Sequence, residues 1–143
     1  MQAYVDFMKM AGARVVPIIM TDDYSVTDEK LSKVNGVLFP GGAGDYKTIG
    51  DYIYNKIIAE NDAGNFYPIW GTCLGMENLT RFASDSGNPL SDEVSKNESL
   101  TLDFLVDPKS TKMFSDLDNP EYFSEEGMTF NHHGYGLSVD IFE

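Results

Sequence analysis

The sequence predicts an α/β domain, a mostly parallel sheet with helices on both faces, spanning residues 1–143 as one unit. Three observations predict it. Segments with helical spacing of apolar residues alternate with short apolar runs too brief to be helices. Two of those runs pass at once into glycine-containing turns, at Pro40-Gly41-Gly42-Ala43-Gly44 and at Gly71-Thr72-Cys73-Leu74-Gly75. Strand-to-helix alternation of this kind places successive strands parallel, with the connecting helices packed on the sheet.

The elements follow in order. Tyr4, Phe7, Met8 and Ala11 fall at i, i+3, i+4 and i+7, one face of a helix that Gly12 ends. The chain therefore opens on a helix, where a parallel fold ordinarily begins with a strand. Arg14-Val15-Val16-Pro17-Ile18-Ile19 reads as a buried strand, and residues 21–24 as polar loop. Thr27 can cap a short helix reaching Val34, with Asp28 and Glu29 placed in its first turn. Asn35-Gly36 is turn chemistry, and Val37-Leu38-Phe39 a short strand. Residues 51–62 form the next helix, with Ile53, Tyr54, Ile57 and Ile58 as its apolar face, stopped by Ala63-Gly64-Asn65. A strand over 66–70 and a helix over 74–83 follow, then a polar loop, Ser84-Asp85-Ser86-Gly87-Asn88-Pro89. Residues 100–106 read as a strand that Asp107-Pro108 breaks, 109–117 as a short helix and 118–126 as acidic loop. Met128-Thr129-Phe130-Asn131-His132-His133 reads as a strand and Gly134-Tyr135-Gly136 as a turn.

Composition removes several classes of function. With 10 Lys and Arg against 23 Asp and Glu, the formal net charge is −13. Such a surface repels nucleic acid and anionic membrane, so neither is expected as a partner. No apolar run is long enough to span a bilayer, and the first residues carry no basic, apolar signal-peptide pattern. Hydrophobic residues make up 42%, enough for a packed core. A single cysteine excludes an internal disulfide and any multi-cysteine metal site. No cofactor and no metal are expected.

The chemistry centres on Cys73. G-x-C-x-G between an apolar run and an amphipathic helix is the cysteine form of the nucleophile elbow. The apex residue of such a turn is strained, and its glycine neighbours pack where a Cβ would clash. A thiol there faces the positive end of a helix dipole, which favours the thiolate as nucleophile toward a carbonyl. The competing reading is a small packed core residue. In Pro40-Gly41-Gly42 a glycine N–H can point at the oxygen of a tetrahedral intermediate, with the Leu74 N–H as second donor; the competing reading is a plain tight turn. Both glycine turns follow strands, so both open on the carboxyl edge of the sheet, where ligands bind in such folds. His132 and His133, the only histidines, are candidates for the base a thiol needs or for binding an acidic substrate. Two polar residues at a strand end is the alternative. Glu77, one helical turn after Cys73, either orients substrate or is a solvated helix residue. Asn78-Leu79-Thr80 and Asn97-Glu98-Ser99 match the glycosylation sequon, the first by chance inside a helix. Lys47, Lys56 and Arg81 are the basic residues near the motifs.

Ala11-Gly12-Ala13-Arg14-Val15-Val16-Pro17, Asn35-Gly36-Val37-Leu38-Phe39-Pro40-Gly41-Gly42 and Phe66-Tyr67-Pro68-Ile69-Trp70-Gly71-Thr72-Cys73-Leu74-Gly75-Met76-Glu77 together resemble the gamma-glutamyl hydrolase family. Asn131-His132-His133-Gly134-Tyr135-Gly136-Leu137-Ser138 is similar to that family's downstream histidine segment. The resemblance implies a flavodoxin-like fold of the class I glutamine amidotransferase-like superfamily, incomplete at both termini here. The family's first strand, and its late Gln-x-His-Pro-Glu segment with the general-base histidine, have no counterpart in these residues. It implies Cys73 as nucleophile, Gly42 and Leu74 as the oxyanion hole, and His133 in the substrate cleft; Gly41 and Glu77 are the further candidates for contact with substrate. It further implies hydrolysis of γ-glutamyl amides, with folate poly-γ-glutamates as the small-molecule substrate, a lysosomal, vacuolar or secreted location, and room for a homodimer. Two other readings stay open: the glutaminase domain of an amidotransferase, and a binding protein that keeps the elbow without the chemistry.

Overall fold

The computed structural model describes residues 2–85, 87–138 and 140. The chain divides into two compact units, Met1–Leu90 with Leu137–Glu143, and Ser91–Gly136. Ser86 of the expected polar loop and Val139 near the end of the chain lie outside the described residues.

The first unit is α/β. Helix α1 (Gln2–Met10) ends in a turn at Gly12, whose φ of 84° suits glycine. Residues 14–19 form no strand. Pro17 has no N–H to donate to a ladder, and no residue of the segment is buried; only Ile18 packs against the core. Helix α2 (Tyr24–Leu31) begins three residues before the expected cap. Asp23 occupies the N-cap in extended conformation, and Thr27 lies inside the helix, fully buried. Strand β1 (Val37–Phe39) falls where its apolar run predicts.

Helix α3 (Lys47–Asp62) starts a turn earlier than expected. Gly50 argues against helix in sequence, yet here it lies buried against the Phe82 ring, where a Cβ would come 2.9 Å from Cζ. The end is as expected: the Gly64 and Asn65 N–H groups donate back to Asn61 and Glu60 carbonyls, with Gly64 at φ 89°. Strand β2 (Ile69–Gly71) is shorter than predicted, because Asn61 takes the backbone of Tyr67 out of any ladder. Its amide donates to the Tyr67 carbonyl at 2.9 Å and its Oδ1 accepts the Tyr67 N–H at 3.1 Å. Helix α4 (Leu74–Ala83) matches its prediction.

Strands β1 and β2 pair in parallel, with Val37 opposite Ile69, Leu38 opposite Trp70 and Phe39 opposite Gly71. The core consists of Leu31, Phe39, Ile49, Ile53 and Ile57, ringed by half-buried Tyr46, Tyr52, Ile69, Leu79 and Phe82. Polar contacts tie α2 to α3: Asp28 Oδ1 accepts from the Tyr52 hydroxyl at 2.8 Å and pairs with Lys56 at 2.7 Å. Tyr52 also stacks on Tyr24, ring centroids 4.1 Å apart.

The second unit is built on strands β3 (Leu90–Leu100) and β4 (Thr129–Leu137), which form a two-stranded sheet. Thr129 Oγ1 donates to the Leu100 carbonyl and Ser91 Oγ to the Gly136 carbonyl, so the strands run antiparallel. Strand β4 contains residues 129–133 of the strand predicted from Met128 and runs on to Leu137, whereas β3 lies upstream of the one predicted at 100–106. Leu100 ends β3 instead of opening a strand, and Leu105 and Val106 are exposed. Gly134-Tyr135-Gly136 lies inside β4; Gly136 is where β3 approaches, since a Cβ there would lie 2.8 Å from that of Glu93. The expected helix at 109–117 is a 3₁₀ turn (Pro108–Ser110) followed by turns, and the acidic loop holds one helical turn, α5 (Tyr122–Glu125). Phe104, Phe114 and Phe123 pack edge to face in series. Among the described residues no helix is long and apolar enough to cross a membrane.

Candidate active site

Two residues, Thr72 and Cys73, connect β2 to α4. The turn is tight because the helix crosses directly over β1. A Cβ on Gly75 would sit 2.0 Å from the Phe39 carbonyl oxygen, and one on Gly71 would sit 2.7 Å from the backbone of Gly75. Only glycine fits at either flank. Hydrogen bonds close the turn: the Thr72 N–H donates to Phe39 O at 3.1 Å, the Gly75 N–H to Thr72 O at 2.9 Å and the Glu77 N–H to Cys73 O at 3.0 Å. The Trp70 indole N–H adds a bond to Thr72 Oγ1 at 3.0 Å.

This packing forces Cys73, the N-cap of α4, to φ 53° and ψ −117°. A residue with a Cβ held at positive φ stores about 1–3 kcal/mol. The thiol is exposed, so the strain serves presentation and not burial. The packed-core reading of Cys73 does not describe this environment.

The Pro40-Gly41-Gly42 loop lies against it. A Cβ on Gly41 would be 2.9 Å from Cys73 Cβ and 3.1 Å from Thr72 O. Gly42, at φ 121°, follows. Among the described residues neither the Gly42 N–H nor the Leu74 N–H has a hydrogen-bond partner. Among the described residues two backbone donors are therefore uncommitted beside the thiol, one on the Gly41 loop and one at the start of α4.

Around the elbow sit polar groups the sequence pattern does not single out. Tyr4 on α1 accepts the Gly41 N–H at 2.8 Å, and the Tyr46 hydroxyl donates to Pro40 O at 3.0 Å. Burial pushes the Tyr46 hydroxyl above its ordinary pKa; the nearby Asn78 amide opposes this, and the charges of Tyr4, Cys73 and Glu77 add to it. Glu77 is buried in the first turn of α4, unlike a solvated helix residue. Asn78, 1% exposed, is in no position to carry a glycan. Its Oδ1 accepts from Arg81 at 3.3 Å, while its Nδ2 is buried and unbonded among the described residues. Tyr4 scores as apolar in the helical pattern, and Tyr46 follows a glycine-rich turn with no motif. A half-buried tyrosine seeks a partner for its hydroxyl, which is the one signal that could have marked them.

The structure thus gathers Cys73, Leu74, Gly41, Gly42 and Glu77 in the first unit. The histidines belong to the second, on β4. His133 Nδ1 lies 2.8 Å from the Glu93 carbonyl oxygen, which can only accept, so Nδ1 carries the proton and Nε2 is the free nitrogen of the neutral ring. His132 Nδ1 lies 3.1 Å from Asn97 Oδ1. Of the basic residues, Lys56 is held by Asp28, and Arg81 bonds Asn78 and Asn88. Lys47 is exposed at the start of α3. No group of three His, Cys, Asp or Glu among the described residues is placed to hold a metal ion.

Known proteins resemble this chain over nearly its whole length. The sequence profile of the peptidase C26 family matches residues 1–102. Gamma-glutamyl hydrolase B of Dictyostelium discoideum is 31% identical over 151 residues, covering 100% of this chain and 44% of that protein. Gamma-glutamyl hydrolase of Rattus norvegicus is 35% identical, covering 98% and 46%, and that of Bos taurus 36%, covering 96% and 45%. The chain spans about half the length of the curated relatives it matches.

Proposed function

The chain belongs to the peptidase C26 family, and we propose that it carries the nucleophile and oxyanion elements of a γ-glutamyl hydrolase acting on folate poly-γ-glutamates. The observation that carries this reading is Cys73 at φ 53°, exposed at the N-cap of α4 with the Gly41 loop against it. The Cys73 thiolate attacks the carbonyl carbon of a γ-glutamyl amide. The π electrons move to the oxygen, which the Leu74 and Gly42 N–H groups receive; one such donor is typically worth about 3 kcal/mol. Collapse expels the amine, which takes up a proton, and leaves a thioester on Cys73 that water hydrolyses. Glu77 and Gly41 bound the side on which substrate enters. Lys47 is the exposed cation nearest in sequence to the Gly41 loop, against a chain whose net charge repels polyanions.

Mass spectrometry after incubation with a γ-glutamyl p-nitrophenyl ester tests the reading. One γ-glutamyl adduct is expected on the native chain and none on Cys73→Ala. An adduct that persists in Cys73→Ala, or its absence from the native chain, refutes the reading. Release of glutamate from a pteroyl-γ-glutamate chain tests the substrate class.

A further inference from the structure

One peptide unit of the Gly41 loop is held at both of its polar ends. Its oxygen, on Pro40, accepts from the Tyr46 hydroxyl at 3.0 Å; its N–H, on Gly41, donates to the Tyr4 hydroxyl at 2.8 Å. The two tyrosines are separate in sequence: Tyr4 belongs to α1, and Tyr46 is the N-cap of α3. A peptide unit is a rigid plane. Fixing its oxygen and its hydrogen from two independent elements fixes its rotation about the chain direction.

The next residue explains why that rotation matters. Gly42 sits at φ 121°, and a Cβ there would touch nothing within 4 Å. Neither its own stereochemistry nor contacts around its Cα restrain where its N–H points. The direction of that donor is inherited from the peptide before it. We propose that Tyr4 and Tyr46 are positioning residues that clamp the Pro40–Gly41 peptide and thereby aim the Gly42 N–H at the oxygen developing charge beside Cys73. The aim assigned to Gly42 rests on the hydrolase reading; the clamp itself rests on the two hydrogen bonds.

Three further observations support the clamp. The Pro40 carbonyl can only accept, so Tyr46 must donate, and its raised pKa keeps the hydroxyl protonated. The Tyr46 ring stacks on Phe39, centroids 5.9 Å apart, which sets the hydroxyl from a ring anchored at the core. Gly41 has no slack, since a Cβ would meet Tyr4 Oη at 2.5 Å and Cys73 Cβ at 2.9 Å. A peptide that rocks in this space moves relative to the nucleophile.

Tyr4→Phe and Tyr46→Phe, made in the full chain, keep the rings and remove one hydroxyl each. Three readouts separate the possibilities: amide exchange at Gly41 and Gly42 by NMR, acylation of Cys73 by a γ-glutamyl p-nitrophenyl ester, and alkylation by iodoacetamide, which forms no oxyanion. In the native chain the Gly41 amide is expected to exchange at least about tenfold more slowly than that of Gly42, a result that needs no variant. Tyr46→Phe is expected to speed Gly41 exchange severalfold although Tyr46 does not touch that N–H. Each variant should slow acylation about 3- to 10-fold, the worth of one neutral hydrogen bond, and leave alkylation within about twofold. A Gly41 amide as exposed as Gly42 in the native chain, or unmoved by Tyr46→Phe, overturns the clamp. Faster exchange with unchanged acylation overturns the positioning role. A native chain that alkylates yet never acylates refutes the hydrolase reading and the aim of Gly42 with it, while the exchange pattern still decides the clamp.

Discussion

Gly75→Ala sets two effects of opposite sign against each other. Gly75 is the second residue of α4, where alanine improves helix propensity by about 0.5–1 kcal/mol. The added Cβ, however, would lie 2.0 Å from Phe39 O, 2.6 Å from Phe39 C and 3.0 Å from Phe39 Cβ. Ordinary carbon–oxygen contact is about 3.3 Å, so helix and strand must part by roughly 1.3 Å. The obstacle is β1 backbone, and Phe39 is 4% exposed in the core. Overpacking of this kind costs about 1–3 kcal/mol or more. Parting the elements also strains the Thr72 N–H bond to Phe39 O, worth about 1 kcal/mol. The balance is a loss of about 1–3.5 kcal/mol.

Urea unfolding followed by tryptophan fluorescence measures it. Trp70 is the only tryptophan, sits in β2 and bonds into the turn, so it reports the first unit. Gly50→Ala is the internal control, because its Cβ would meet the edge of the Phe82 ring at 2.9–3.0 Å, a side chain that can shift. Gly75→Ala should cost at least about 1 kcal/mol more than Gly50→Ala. A Gly75→Ala chain as stable as the native one, or a Gly50→Ala chain that loses as much, refutes the claim that β1 backbone fixes the position of α4.

Thr27→Val should raise stability by about 1 kcal/mol in the same assay, because the Thr27 hydroxyl is buried without a partner among the described residues. Cys73→Gly should be more stable than Cys73→Ala by about 1 kcal/mol, since only glycine is relaxed at φ 53°; equal urea midpoints would show the apex is unstrained. Asp28→Asn should lower stability at neutral pH. The Lys56 and then the Tyr52 hydrogen bond hold the Asp28 carboxyl below its ordinary value, so its contribution is present above the ordinary carboxylate range and fades as pH falls through the lowered value. Thermal melts of the two chains should therefore converge in acid, and curves that stay parallel would exclude the linkage.

What was legible in the sequence is what leaves a mark on residue type. Gly71 and Gly75 are glycines because backbone passes within contact of their Cα atoms, and that requirement is visible in G-x-C-x-G before any coordinates. The α4 face and β1 were legible for the same reason, as burial writes itself in apolar spacing. Strand β3 was not, because Leu-Ser-Asp-Glu-Val-Ser-Lys-Asn-Glu-Ser-Leu is mostly exposed and is held by its partner strand, not by side-chain preference. Residues 14–19 erred the other way: β-branched residues read as strand, but strand is a matter of partners. Tyr4 and Tyr46 were invisible as site residues because each hydroxyl bonds a backbone group, 37 and 6 residues away, and backbone partners have no sequence signature.

The three-residue ladder accounts for why two loops distant in sequence meet. Parallel strands end on the same side, so the loops after β1 and β2 open together whatever their sequences. The register sets the rest. Phe39 stands opposite Gly71, and continuing that pairing places Pro40 beside Thr72 and Gly41 beside Cys73, in keeping with the 2.9 Å separation a Gly41 Cβ would have from Cys73 Cβ. Pro40 has no N–H and ends the ladder there, which releases its carbonyl to Tyr46 and the following N–H to Tyr4. A slip of one residue would carry Gly41 about 3.3 Å along the strand and bring Pro40 or Gly42 against the thiol. The aim of the candidate oxyanion donors therefore depends on β1–β2 register before it depends on any side chain in the site.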